Sequence, residues 1–297
     1  IKKNAALLGM GYDAVISVAV DDQMCMNTEA LYLAIEKTKE EGNIPIAVVA
    51  TLGTTDYGSF DPIKAIGKIA KEKDLWLHVD GAYGGCYVLT DTHKHHFEGI
   101  EIADSVTVDF HKTLFQPVCC SAFLAKNKKH FQYVSYFADY LNPIEDKDIE
   151  RPNLIEKSMQ TTRRFDALKV WLTLKTLGTK TIASYLEGVY HLANQLYNVI
   201  SINESFETAH KPALSTLVFR YKNEGVYEDS IHNDINLYIK NKLYTTGKAS
   251  IASTKIDGVI YLKFTLLNPN NTLINLLNIV KMIETVAKKY QPKTIIS

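Results

Sequence analysis

Two apolar runs of the chain end in residues that can do chemistry. LWLHVD (75–80) finishes on Asp80, and SVTVDFHK (105–112) finishes on His111 and Lys112. Taken alone, an aspartate at a strand end serves as a cap or turn residue, and a lysine sits on solvated surface. Context separates Lys112 from that reading, because the segment after it, TLFQPVCCSAF, is too apolar for an exposed face. A lysine desolvated there is pushed toward its neutral amine, the form that attacks a carbonyl carbon. That is Schiff-base chemistry.

The elements that must position these residues follow from pattern. AVISVAV (14–20) and PIAVVAT (45–51) read as strands, and TEALYLAIEKTKEEG (28–42) as a helix capped by Thr28 and stopped by Gly42. DPIKAIGKIAKEKD (61–74) opens with Asp61 as N-cap and Pro62 at the first helical position. LWLHVD, DSVTVD (104–109) and SAFLAK (121–126) add three strands. Continuously apolar strands alternating with helices predict a mostly parallel sheet covered on both faces, with ligands beyond the carboxyl ends of its strands. Asp80 and Lys112 fall at such ends. From about 127 to 160 the text is polar and irregular, a mobile loop. RFDALKVWLTLKTLG (164–178) and a second helix near 179–203 lead to strands near 214–222, 247–253 and 259–266, with helices near 228–243 and 272–290, a smaller α+β unit.

Composition narrows the partners. The 297 residues are 46% hydrophobic, enough for a large core, and Lys+Arg and Asp+Glu balance at 33 each. No net field draws the chain to nucleic acid or an anionic membrane, so the expected partner is a small molecule. No apolar run reaches the roughly 20 residues that cross a bilayer. Four cysteines, two of them adjacent, suit neither a disulfide framework nor a zinc site and point to a reducing cytoplasm. The start, IKKNAALLGMG, lacks methionine and begins inside a helix, as the later part of a longer chain would.

The cofactor that joins a Schiff-base lysine to an acid is pyridoxal 5'-phosphate, whose ring nitrogen needs a carboxylate to stay protonated. Asp80 can fill that role, and the small residues Gly81, Ala82, Gly84 and Gly85 would let a flat ring approach the backbone. The ordered motifs ATLGTTDYGSFDPI, LWLHVDGAYGG, ADSVTVDFHKTLFQPVCCSAF, TTRRFDALKVW and YLKFTLLNP span essentially the whole chain. They resemble the group II pyridoxal-phosphate amino-acid decarboxylases, and the stretches HKTLFQPVCCSAF and TTRRFDALK look most like the 2,4-diaminobutyrate decarboxylases among them.

The resemblance implies the aspartate aminotransferase fold type I of the PLP-dependent transferases. Residues 1–160 would be part of the large α/β cofactor domain, its amino-terminal portion missing, and 161–297 linking helices and the small α+β domain. It further implies a homodimer with shared active sites that decarboxylates an L-amino acid, 2,4-diaminobutyrate giving 1,3-diaminopropane. Lys112 would hold the cofactor, Asp80 pair with its ring nitrogen, and Ala82 pack on the ring. Thr55 would hydrogen-bond near the ring hydroxyl or substrate carboxylate, His111 reach the phosphate, and Tyr140, in ADYLNP, deliver a proton to Cα from a mobile loop.

Two departures stand out. The aromatic-amino-acid enzymes read Asn-Pro-His-Lys where this chain reads Asp109-Phe110-His111-Lys112, which counts against a phosphate contact at 109. Most of the phosphate cup and the ring-stacking histidine of the family would lie before Ile1. The alternatives are a decarboxylase of another amino acid (aromatic, glutamate or cysteine sulfinate), an aminotransferase, or a non-catalytic fragment. His93, His95 and His96 read as an exposed loop with no metal, Cys119 and Cys120 as packing, and Arg163 and Arg164 as a phosphate contact, a partner contact or an inter-helix salt link.

Overall fold

The computed structural model describes residues 1–143, 153–222 and 228–291. A short helix α1 (Lys2–Leu7) leads to α2 (Thr28–Glu40), then β1 (Ala47–Thr51), α3 (Ile63–Glu72), β2 (Trp76–Asp80), β3 (Ser105–Asp109), the single turn α4 (Phe110–Thr113) and β4 (Ser121–Ala125). The second half carries α5 (Asp166–Ile200), β5 (Phe206–Thr208), β6 (Thr216–Tyr221), α6 (Asp229–Thr245), β7 (Ala252–Ile256), β8 (Val259–Thr265) and α7 (Leu273–Ala287).

The first sheet has the order β1-β2-β3-β4, parallel except for the antiparallel β4. Strand alternation puts Val48, Ala50, Leu77 and Val79 on one face, and all four are buried with Ile63, Ile66 and Ala70 of α3. Burying each of the larger of these side chains contributes roughly 1.5–3 kcal/mol. The opposite face carries Thr51, Trp76, His78, Asp80 and Thr107, all half-buried, and Phe123 at the β4 edge is 55% exposed. The expectation of cover on both faces therefore holds for one face of this chain. The second sheet, β5-β6-β8-β7, is antiparallel throughout and packs α6 and α7 over Leu217, Phe219 and Leu262.

Helix α5 serves both cores, Ile182 and Leu186 in the first and Leu192, Leu196 and Ile200 in the second. It is broken at Gly178, whose φ of 75° is open to glycine, so the two helices expected around 178 are found end to end. Other details differ from expectation. Residues 14–20 form no strand, only a bridge from Val20 to Met26. Asn27 rather than Thr28 caps α2, accepting from the N–H groups of Glu29 and Ala30. Asp61 does not cap α3. Its carboxylate is drawn away to the N–H of Met26 at 2.6 Å and of Thr51 at 2.7 Å, tying the start of α3 to the end of β1.

Candidate functional site

Asp80 ends β2, and its register partner on the adjacent parallel strand β3 is Thr107. Two residues further along that face of β3 is Asp109, and α4 then turns the chain so that Lys112 stands beside it. The sheet thus delivers an acid and an amine from neighbouring strand ends, where the open edge of a parallel sheet receives ligands. Asp80 is half-buried; the N–H of Ala82 donates to its Oδ1 at 3.0 Å, and no hydrogen bond among the described residues engages Oδ2. Two residues back on the same face, His78 has Nδ1 2.8 Å from the Ser105 hydroxyl and Nε2 3.3 Å from that of Thr107. Burial pushes its imidazole pKa down and the nearby Asp80 charge only partly opposes this, so His78 stays neutral, and no ion pair among the described residues engages Asp80.

Lys112 is half-buried rather than desolvated in an apolar pocket. Its side chain is 36% exposed, and Nζ lies 3.0 Å from Asp109 Oδ2. The apolar segment behind it serves anchoring instead. Thr113 donates its hydroxyl to the Tyr83 carbonyl at 2.9 Å, and Gln116 donates to the Leu114 carbonyl and the Thr173 hydroxyl. The Tyr83 hydroxyl in turn lies 2.9 Å from both Ser215 Oγ and Thr216 Oγ1, so the turn bearing Lys112 is fastened to the second sheet.

The glycines after Asp80 also have another role. A Cβ on Gly84 would collide with the Leu52 carbonyl, one on Gly53 would come within 2.6 Å of the Gly84 Cα, and one on Gly85 within 3.1 Å of Val108. The missing side chains are filled by the turns after β1 and β2 and by β3, not left open for a ring; Ala82 is the half-buried small residue there.

His111 turns toward β4, with Nδ1 3.0 Å from the Cys120 carbonyl and Nε2 3.8 Å from Asp109. Thr55 is exposed on the turn after β1, and its hydroxyl makes no hydrogen bond among the described residues; Thr54 bonds within the turn, to Ser59. The next residue, Asp56, pins that turn to the second sheet through Lys263 at 2.6 Å and Thr254 at 2.7 Å. Tyr140 is 89% exposed, at a tight turn braced by Asn142, which accepts from the Ala138 N–H and donates to the Tyr136 carbonyl. No hydrogen bond among the described residues joins Tyr140 to Asp80 or Lys112. The rest of that loop, 144–152, lies outside the described residues.

Three of the remaining expectations change. His93 is buried, with Nε2 3.0 Å from the Ala213 carbonyl and the ring edge-on to Tyr190, while His95 and His96 are exposed. Cys120 is buried as expected, but Cys119 is exposed, its sulfur 2.9 Å from Arg164 Nη2. Arg164 also reaches Asp166, a local contact rather than a link between helices. Pattern reading missed His78, Tyr83 and Asp56; the period of two back from Asp80 was the available signal for His78, whereas the other two act through tertiary contacts.

The donor set fits a pyridine-ring cofactor bearing an aldehyde: an amine for the aldehyde carbon, and on the neighbouring strand a carboxylate with one oxygen uncommitted. Comparison with known proteins gives the same direction. Residues 1–222 match the family described as the pyridoxal-dependent decarboxylase conserved domain. The chain is 36% identical over 289 residues to an L-2,4-diaminobutyrate decarboxylase of Acinetobacter baumannii, covering 97% of this chain and 56% of the relative. It is 40% identical over 272 residues to one of Rhizobium meliloti (strain 1021), covering 92% and 54%. Among solved structures, the glutamate decarboxylase domain of diaminobutyrate-pyruvate transaminase and L-2,4-diaminobutyrate decarboxylase from Vibrio parahaemolyticus superposes with a TM-score of 0.84 at 32% identity, covering 97% of this chain and 56% of that one. Mouse CSAD superposes with a TM-score of 0.87 at 28% identity, covering 96% and 61%. The chain therefore spans about half the length of the curated relatives it matches.

Proposed function

The chain belongs to the pyridoxal-dependent decarboxylase family, with the α/β fold of the PLP-dependent transferases, and from that premise we propose that it serves the decarboxylation of an L-amino acid, 2,4-diaminobutyrate, to 1,3-diaminopropane. The observation that carries this reading is the placement of Asp80 and Lys112 at the ends of adjacent parallel strands. The substrate rests on the two relatives at 36% and 40% identity.

In this reading the cofactor is pyridoxal 5'-phosphate, which when bound supplies an electron sink for the bond to the departing carboxylate. Lys112 holds it through its aldehyde carbon. Asp80 keeps a proton at the ring nitrogen, and neutral His78 beside it leaves that charge uncontested. Ala82 packs on the ring, Thr55 hydrogen-bonds near the ring hydroxyl or substrate carboxylate, and His111 reaches the phosphate. Tyr140 delivers the proton to Cα when its turn closes over the substrate. Residues 1–160 form part of the cofactor domain and 161–297 the linking helices and small domain, a division supported by the two cores and qualified by α5, which contributes to both. The active form is a cytoplasmic homodimer; no helix among the described residues is long and apolar enough to cross a membrane.

The test is an assay of the natively expressed protein, loaded with cofactor, against a panel of L-amino acids. Stoichiometric carbon dioxide and 1,3-diaminopropane from 2,4-diaminobutyrate support the assignment. Preference for an aromatic or acidic amino acid would move the substrate, and a keto acid product would replace decarboxylation with transamination.

A further inference from the structure

The carboxylate at 109 is chemically out of place beside a cofactor phosphate, since two anions repel. The structure gives it another partner. Asp109 Oδ2 lies 3.0 Å from Lys112 Nζ, and Oδ1 accepts from the Ser121 hydroxyl of β4 at 2.6 Å. His111 Nε2 is 3.8 Å from the same carboxylate, whose side chain is 15% exposed. Behind it the Cys86 thiol, its pKa pushed up to about 11 mainly by burial, remains neutral. Burial is the largest single influence on the Asp109 carboxyl and pushes its pKa up, but Ser121, Lys112 and His111 together outweigh it and hold the group ionised.

We propose that Asp109 is a positioning residue for Lys112, holding the lysine at the end of β3 as its counter-ion in a pair that must break before the cofactor is captured. The inference rests on the reading of Lys112 as the cofactor lysine. Capture proceeds when the ammonium gives its proton to water. Its nitrogen then bonds the aldehyde carbon, the carbon–oxygen double bond breaks, and the oxygen leaves as water with the two amine hydrogens. While paired to Asp109, the lysine is withheld from this step, and the pair is local and partly exposed, so its grip is modest.

The test follows capture by absorbance in the cofactor-free native protein, with pyridoxal 5'-phosphate and with pyridoxal as separate probes. Borohydride reduction and peptide mapping first locate the captured probe in the wild type; a label away from Lys112 overturns the lysine assignment itself, before any Asp109 variant is compared. With the label at Lys112, Asp109→Asn should capture both probes roughly two- to five-fold faster, and Asp109→Glu should restore the slower rate. Loss of a merely structural contact would not speed capture. Acceleration confined to the phosphorylated probe would show that Asp109 acts on the phosphate, and an unchanged or slower rate with both probes would equally overturn the proposal. Should Asp109→Asn fail to fold, Ser121→Ala at its exposed position decides. Removing that hydroxyl leaves Asp109 more fully to Lys112 and should slow capture, and an unchanged rate contradicts the pairing.

Discussion

Asp80 and Lys112 differ in how the fold treats them. Asp80 is seated by one backbone donor beside a histidine that burial keeps neutral. Asp80→Asn removes that charge with almost no change in shape; turnover should fall by orders of magnitude while the cofactor still binds, and near-normal kcat would show that another acid faces the ring. Tyr140 acts later in the proposed scheme. With Tyr140→Phe, carbon dioxide should still be released, but the product should shift from amine toward aldehyde or aminated cofactor, because the proton donor to Cα is gone. Clean amine at the wild-type rate would leave the turn as a lid only. Lys147 and Arg151, where trypsin is expected to cut this loop first in the free enzyme, lie outside the described residues. Tyr140 was named only through the family resemblance, but Asp80 and Lys112 were legible in the sequence as candidates, because strand ends and the apolar text beside them are local features. The state of Lys112 was not, because its counter-ion sits three residues away and shows only once α4 turns the chain.

At the scale of elements, short-range signals were read well and long-range ones poorly. The strands of the first sheet, the break at Gly178 and the helices of the second half follow from periodicity and glycine placement. The strand expected over 14–20 failed because apolar alternation there found, among the described residues, no neighbouring strand to pair with beyond a single bridge. Asp61 has the right identity and position for a cap, yet two backbone donors from elsewhere claim its carboxylate. The glycines after Asp80 were misassigned for the same reason, since only the fold brings the Leu52 carbonyl against Gly84. The link from Tyr83 to Ser215 and Thr216 is of this long-range kind and can be measured. Tyr83→Phe deletes a fully enclosed hydroxyl and strands two buried partners, which should lower unfolding stability by about 1–3 kcal/mol in urea titration. A midpoint unmoved from wild type would mean that the second sheet does not hold the Lys112 turn through this contact.

At the scale of the molecule, the chain presents one well-packed face of its first sheet and one half-open face that carries the site. Phe123, Phe165 and Trp171 are 55%, 72% and 56% exposed, and the family resemblance, with its site built at a subunit interface, is the reason a homodimer is proposed. Sedimentation of the native protein should give a dimer, and a stable, active monomer would contradict shared active sites. The native protein should be yellow with bound pyridoxal 5'-phosphate, and borohydride should fix the cofactor on the peptide containing Lys112. In Lys112→Ala both the absorbance and the label should disappear; a label on a different lysine, or an unchanged spectrum in the variant, would contradict the site described.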